Sequence, residues 1–160
     1  MANTVTVGIA DLNVVKSPDT LVTYALGSCV GICLYDPDKK IAGLAHIMLP
    51  LSTEAAQGVN NKRRYADTGI AELIQKMTML GANKARLTAK IAGGAQMFSV
   101  NSTVFNIGER NVAAVKQVLA SYRIKIVAEE TGANFGRTQY FHGDTGVMEI
   151  RAATRPTKMY

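Results

Sequence analysis

Cys29, Cys33, His46 and His142 are the side chains of this sequence best suited to nucleophilic attack or proton transfer. Cys29 follows the turn signal Leu26-Gly27-Ser28 and leads into an apolar run from Val30 to Tyr35. Asp36-Pro37-Asp38-Lys39-Lys40 then turns the chain, and a second apolar run, Ile41 to Leu49, carries His46. Two such runs about a turn read as a hairpin buried on both faces. If its loop is Pro37-Asp38 alone, Cys29 lies directly opposite His46. If the loop is Pro37 to Lys40, Cys29 lies opposite Met48, with His46 one diagonal step away. Either register puts both side chains on one face, within reach of each other. A loop of intermediate length would turn them to opposite faces.

A thiol beside an imidazole supports amide hydrolysis. A free thiol has a pKa near ~8.5, so little of it is thiolate at neutral pH; an imidazole neighbour raises that fraction and later protonates a leaving amine. Glycine and serine in the preceding turn, Gly27 and Ser28, leave amide N–H groups able to face a developing oxyanion. Thr23, on the preceding extended stretch, could accept from one imidazole nitrogen and orient the ring. Each residue also has a plain structural reading. A cysteine in an apolar run is ordinarily core, which is how Cys33 is read, and a strand threonine is ordinarily structural. His142 competes as a base, but no thiol lies near it in sequence.

The elements that must position these groups are legible in part. Val5, Val7 and Ile9 alternate as a first strand, and Thr20 to Ala25 form a second. Ile70, Leu73, Ile74, Met77 and Leu80 recur at helical spacing, predicting a helix from Ala66 to Leu80 with Gly81 as its stop. Lys84 to Ile91 reads as a strand ending at Gly93-Gly94, where glycine permits a tight exit or close backbone approach. Asn106 and Glu109 form a capping-box pattern ahead of a second helix striped by Val112, Val115, Val118 and Leu119. Ile124 to Ala128, Gln139 to His142 and Gly146 to Arg151 complete the strands. The expectation is one α+β domain over residues 1–160, a compact sandwich of mixed sheets with two main helices.

Of the 160 residues, 48% are hydrophobic and 19% charged, the balance of a globular protein rather than a disordered one. The formal charge of +6 suits acidic partners. Its densest run is only Lys62-Arg63-Arg64, without zinc-finger spacing or an RNP-like aromatic motif, so no nucleic-acid partner is expected. Two cysteines and two histidines would strain a four-ligand metal site, and no P-loop or dinucleotide fingerprint is present; neither metal nor cofactor is expected. The first residues lack the pattern of a signal peptide, no run suits a membrane-spanning helix, and free thiols fit a cytoplasmic location without membrane insertion.

Leu26-Gly27-Ser28-Cys29-Val30-Gly31 and Gly43-Leu44-Ala45-His46-Ile47-Met48-Leu49-Pro50 resemble the CheD family of chemoreceptor glutamine deamidases. The resemblance continues, in order, through Lys90 to Ala95, Asn106 to Asn111 and Gly136-Arg137. It implies Cys29 as nucleophile, His46 as base and Thr23 as the third group. It implies a fold similar to bacterial toxin deamidases, and hydrolysis of receptor glutamines to glutamates through a cysteine thioester. It also implies methyl-accepting chemotaxis receptors as substrates and a CheC-type CheY phosphatase as a partner; the alternative is a non-catalytic adaptor for CheC or receptors. Phe98 and Phe105, flanking a polar stretch, are candidates for docking a partner. One departure is Thr131-Gly132-Ala133, where the resemblance leads one to expect a Gly-Gly pair.

Overall fold

The computed structural model describes residues 2–55, 58, 60–96 and 106–160. Two five-stranded sheets lie face to face, and two helices cover the outer side of one of them. The first sheet runs in the order β1 (Thr4–Thr6), β3 (Thr20–Leu26), β8 (Arg137–His142), β9 (Met148–Ala152), β10 (Arg155–Met159). The second runs β2 (Asp11–Lys16), β5 (Ile41–Ile47), β4 (Val30–Asp36), β6 (Thr88–Gly93), β7 (Lys125–Thr131). Each sheet is mixed: β1 pairs parallel to β3 and β6 parallel to β7, while the other pairings are antiparallel. The helices, α1 (Ala66–Leu80) and α2 (Ile107–Ser121), pack against β2, β4, β5 and β7 of the second sheet. This is the α+β sandwich with two main helices that the sequence suggests.

The central hairpin is buried throughout because its strands serve two cores at once. Ile32 and Leu34 of β4, with Ala45 and Ile47 of β5, enter the core beneath the helices. Cys33 and Tyr35, with Ala42 and Leu44, enter the core between the sheets. A strand covered on both faces reads as a continuous apolar run, which is why its alternation is hidden in the sequence. The loop spans residues 37 to 40, since Asp36 pairs with Ile41. Asp36 closes it, its buried carboxylate accepting from the N–H groups of Asp38 (3.0 Å) and Lys39 (3.2 Å) and from Arg86. Burial alone would raise this carboxyl; the Arg86 guanidinium and the N–H donors of Asn83, Lys39 and Asp38 outweigh it and hold the pKa down to about 2.

Three local expectations change, and one strand was not expected at all. The strand expected through Val5, Val7 and Ile9 ends early: Ala10, at φ 56°, swings the chain into β2 of the other sheet. The stretch from Lys84 begins as a 3-10 turn, Lys84–Arg86, because the Asn83 side chain accepts from the Ala85 N–H. Asn106 precedes α2 but makes no side-chain cap, so the capping box does not form. The edge strand β10, exposed along its whole length, has no apolar pattern by which it could have been anticipated.

Candidate functional site

The four-residue loop selects the diagonal register. Gly31 pairs with His46 and Val30 with Ile47, so extending the ladder sets Cys29 opposite Met48, one diagonal step from His46. By strand alternation, Cys29 and Gly31 share the face of Cys33 and Tyr35, and His46 shares that of Ala42 and Leu44. All point toward the first sheet. Cys29 is half-buried at the end of this inter-sheet core, and His46 is fully enclosed.

Thr23 reaches His46 from the facing sheet. Its hydroxyl donates to the Val7 carbonyl at 2.7 Å and lies 2.6 Å from His46 Nδ1. Having given its only proton to Val7, the hydroxyl must accept from Nδ1–H. That fixes the tautomer and leaves the Nε2 lone pair, in a buried site, without a hydrogen-bond partner among the described residues. Burial lowers the imidazole pKa from 6.5 to about 4, so the ring is neutral at physiological pH. Burial also raises the Cys29 thiol, opposed in part by a hydrogen bond from its own N–H. The resting pair is therefore thiol and neutral imidazole, and the elevated thiolate fraction expected from an imidazole neighbour does not arise. Just beyond Thr23 the β3 register shifts, with Ala25 at φ 58°, a bulge just before Leu26 and the Cys29 turn.

The backbone of that turn is held by three successive carbonyls. Gly27 C=O accepts from the Ala95 N–H (2.8 Å), Ser28 C=O from Asn111 Nδ2 (2.9 Å) and Cys29 C=O from the Gly94 N–H (2.8 Å). Gly93 and Gly94, at φ 105° and 63°, form the strand exit that delivers two of these donors. A Cβ on Gly93 would collide with the Cys29 carbonyl, and one on Gly94 with Val112, so the close backbone approach read from the glycines is present. Arg137 braces the same exit, donating to the Gly93 and Gly132 carbonyls and pairing with Glu130.

Two buried amides at the site were not anticipated. Gln139 pairs with Thr23 across β3 and β8, and its Nε2 donates to the Gly31 carbonyl at 3.2 Å. A side chain on Gly31 would collide with the Gln139 carboxamide, so the glycine opposite His46 makes room for it. Asn111 is equally buried, and its Nδ2 bonds both the Ser28 and Met48 carbonyls at 2.9 Å. The available signal for Asn111 was its place on the buried stripe Gly108, Asn111, Val115, Val118 of α2, where an aliphatic residue would be unremarkable. For Gln139 it was a polar residue at an inward position, two before Phe141.

The remaining candidates separate. Cys33 is fully buried with its thiol pKa well up, an inert core residue as read. His142 alternates with Phe141 and so faces the other side of the first sheet, away from Cys29. Phe98 and Phe105 lie outside the described residues. Among the described residues no three His, Cys, Asp or Glu side chains are grouped to hold a metal ion, and no helix is long and apolar enough to cross a membrane.

Fold and side chains define a mixed-sheet α+β protein carrying a half-buried thiol on the same sheet face as an imidazole of fixed tautomer, one diagonal step apart in register. The family model described as CheD chemotactic sensory transduction matches residues 48–152, a span that starts after His46. A relative from Lachnoclostridium phytofermentans, named as a probable chemoreceptor glutamine deamidase CheD, is 49% identical over 160 residues, covering 99% of both chains. One from Caldanaerobacter subterraneus subsp. tengcongensis, with the same name, is 55% identical over 147 residues, 91% of this chain and 90% of its own. The Halalkalibacterium halodurans protein named chemoreceptor glutamine deamidase CheD is 48% identical, with 99% of each chain covered. The chain belongs to the CheD family. Among solved structures, a Neisseria meningitidis protein described under DUF152 superposes with a TM-score of 0.50 at 10% identity, over 81% of this chain and 64% of that one, a likeness of fold alone.

Proposed function

We propose that this protein deamidates glutamine side chains of chemotaxis receptors, with Cys29 as nucleophile, His46 as general base and acid, and Thr23 as the group that orients the ring. The observation that carries the reading is the 2.6 Å contact of Thr23 with His46 Nδ1, which leaves Nε2 as a free base on the face shared with Cys29. The names and high identity of the relatives supply the substrate class.

His46 Nε2 takes the thiol proton as the sulfur attacks the amide carbon; with both groups neutral at rest, transfer accompanies attack. The tetrahedral oxyanion is met by backbone N–H groups of the Gly27-Ser28-Cys29 turn, whose carbonyls are all engaged elsewhere. The intermediate collapses to a thioester and expels ammonia, which leaves with the proton held on Nε2. Water then attacks the thioester; His46 takes its proton and returns it to the departing sulfur, releasing glutamate. The net charge of +6 suits acidic receptor helices and acts mainly on encounter rate. The reading extends to the cytoplasmic parts of the receptors as the place of action and to a CheC-type phosphatase as a second partner, both resting on the family resemblance; a pull-down tests the partner.

The deciding experiment incubates a receptor cytoplasmic fragment with the protein and counts Gln-to-Glu conversions by mass spectrometry. Wild type converts specific glutamines and Cys29→Ala converts none. Equal conversion by the two removes Cys29 as nucleophile, and no conversion by wild type favours the adaptor reading.

A further inference from the structure

Asn111 sits one turn into α2, on the stripe the helix buries, and is fully enclosed. A carboxamide in that place is unfavourable unless its polar atoms are used. Its Oδ1 has no partner among the described residues, but its Nδ2 is used twice, each time on backbone flanking the reacting pair. One proton goes to the carbonyl of Ser28, immediately before Cys29, and the other to the carbonyl of Met48, two residues after His46. One side chain therefore ties the turn bearing the thiol to the exit of the strand bearing the imidazole.

The contact with Ser28 has a directional consequence. In a trans peptide the C=O and the following N–H point in opposite senses across one rigid plane. With the Ser28 carbonyl drawn toward α2 by Asn111, the Cys29 N–H must face away from the helix. The N–H lies against its own sulfur, the side on which an amide carbonyl would be attacked. The neighbouring peptides are held by backbone donors, Ala95 N–H on Gly27 C=O and Gly94 N–H on Cys29 C=O. Among the described residues, only the central peptide, the one supplying the N–H nearest the sulfur, depends on a side chain.

We propose that Asn111 is a positioning residue for the oxyanion site, locking the Ser28–Cys29 peptide in the orientation that presents the Cys29 N–H to the reacting carbonyl oxygen. The inference rests on the deamidase reading above. Asn111 touches no substrate atom; it acts through the peptide. Without it that plane can rotate, turning a carbonyl where a donor is required, and an unformed oxyanion site slows acyl transfer while leaving the thiol intact.

Two full-length variants test this, Asn111→Leu, close in size but without donors, and Asn111→Asp, of the same shape but accepting only. Each is assayed for deamidation of the receptor fragment and for alkylation of Cys29 by iodoacetamide. Alkylation is displacement at a saturated carbon and forms no oxyanion, so it reads the thiol and its surroundings without the N–H. The expected result is a loss of deamidation of roughly 100-fold with alkylation within about threefold of wild type, in variants that remain folded by circular dichroism. Deamidation within about threefold of wild type in either folded variant overturns the proposal. So does a parallel fall in both rates, or failure of both variants to fold, since Asn111 would then hold the structure and not the N–H. An inactive wild type, or an active Cys29→Ala, refutes the parent reading whatever the Asn111 variants do.

Discussion

His46 and His142 each set Nδ1 against a threonine of β3, Thr23 at 2.6 Å and Thr20 at 3.2 Å, and differ at the second nitrogen. His142 Nε2 lies 3.0 Å from a Glu149 carboxylate that Arg151 also engages, on the outward face of the first sheet. His46 Nε2 lies in the interior with no hydrogen-bond partner among the described residues. Leaving a buried polar atom unmatched costs about 1–3 kcal/mol, a cost that Asn111 Oδ1 and Gln139 Oε1, also buried and without a partner among the described residues, share with it. His142 has both nitrogens committed; His46 has one anchored and one unpaired among the described residues, the arrangement a general base requires. Residue type and a hydroxyl neighbour do not separate them; the second nitrogen does.

The comparison breaks most visibly by deletion. His46→Ala is expected to lower deamidation of the receptor fragment by about 10³-fold, within the range for a general acid–base group, and His142→Ala to change it less than about threefold. Thr23→Ala should fall between them, because orientation matters less than the presence of the base, whereas Thr20→Ala should follow His142→Ala. The reverse ranking of the two histidines would refute the assignment of the base.

A second experiment sharpens the difference through pH. Burial holds His46 near a pKa of about 4 and raises the Cys29 thiol above the ordinary thiol value. The thiolate is the alkylating species, so a raised thiol pKa moves its population, and the rate, toward alkaline pH. Between pH 5 and 9 the His46 ring is neutral and contributes no inflection. Iodoacetamide alkylation of Cys29 should therefore climb steadily with pH through 9, with no plateau near neutrality. A plateau below pH 7 would mean a preformed thiolate–imidazolium pair, contrary to the burial of both groups.

How much of this the sequence could carry depends on the range of the forces involved. The Ala66 to Leu80 helix was legible to the residue because its apolar spacing and Gly81 stop are local. The hairpin was legible as an element but not in register: two apolar runs and a turn allow several loops, and Asp36 settles the matter through donors that include the distant Asn83 and Arg86. Cys29 and His46 could be paired because they flank one turn, and Thr23 because it precedes the same turn. Asn111 and Gln139 could not, since each reaches the site from an element far along the chain, and a lone buried amide looks in sequence like any other polar residue. Resemblance suggested the roles proposed for Cys29, His46 and Thr23, while the tautomer and the neutral resting pair required three dimensions.

The smallest effect concerns backbone strain, which the two histidine neighbourhoods also handle differently. Beside His142 the chain turns through Gly146 at φ 75°, where glycine carries no steric penalty. On the Cys29 side, the turn bracing the Gly93–Gly94 exit passes through Gly132 at φ 81° and then Ala133 at φ 60°. Gly132 N–H bonds the Gly93 carbonyl at 3.0 Å, and the Ala133 carbonyl accepts from Gln96 N–H at 2.9 Å, so the strained residue belongs to the scaffold behind the Cys29 turn. The Gly-Gly pair suggested by the resemblance would suit two consecutive left-handed positions, and alanine occupies the second. Left-handed alanine is disfavoured by about 1–2 kcal/mol, against which glycine gives the unfolded chain more freedom, worth about 0.4–1 kcal/mol. Ala133→Gly should therefore raise stability in urea denaturation by about 0.5–1 kcal/mol and leave the rate of Cys29 alkylation unchanged. A loss of stability would mean that strain at Ala133 is relieved by packing of its methyl group, and the departure from the expected pair would then be an adaptation of this chain and not a tolerated cost.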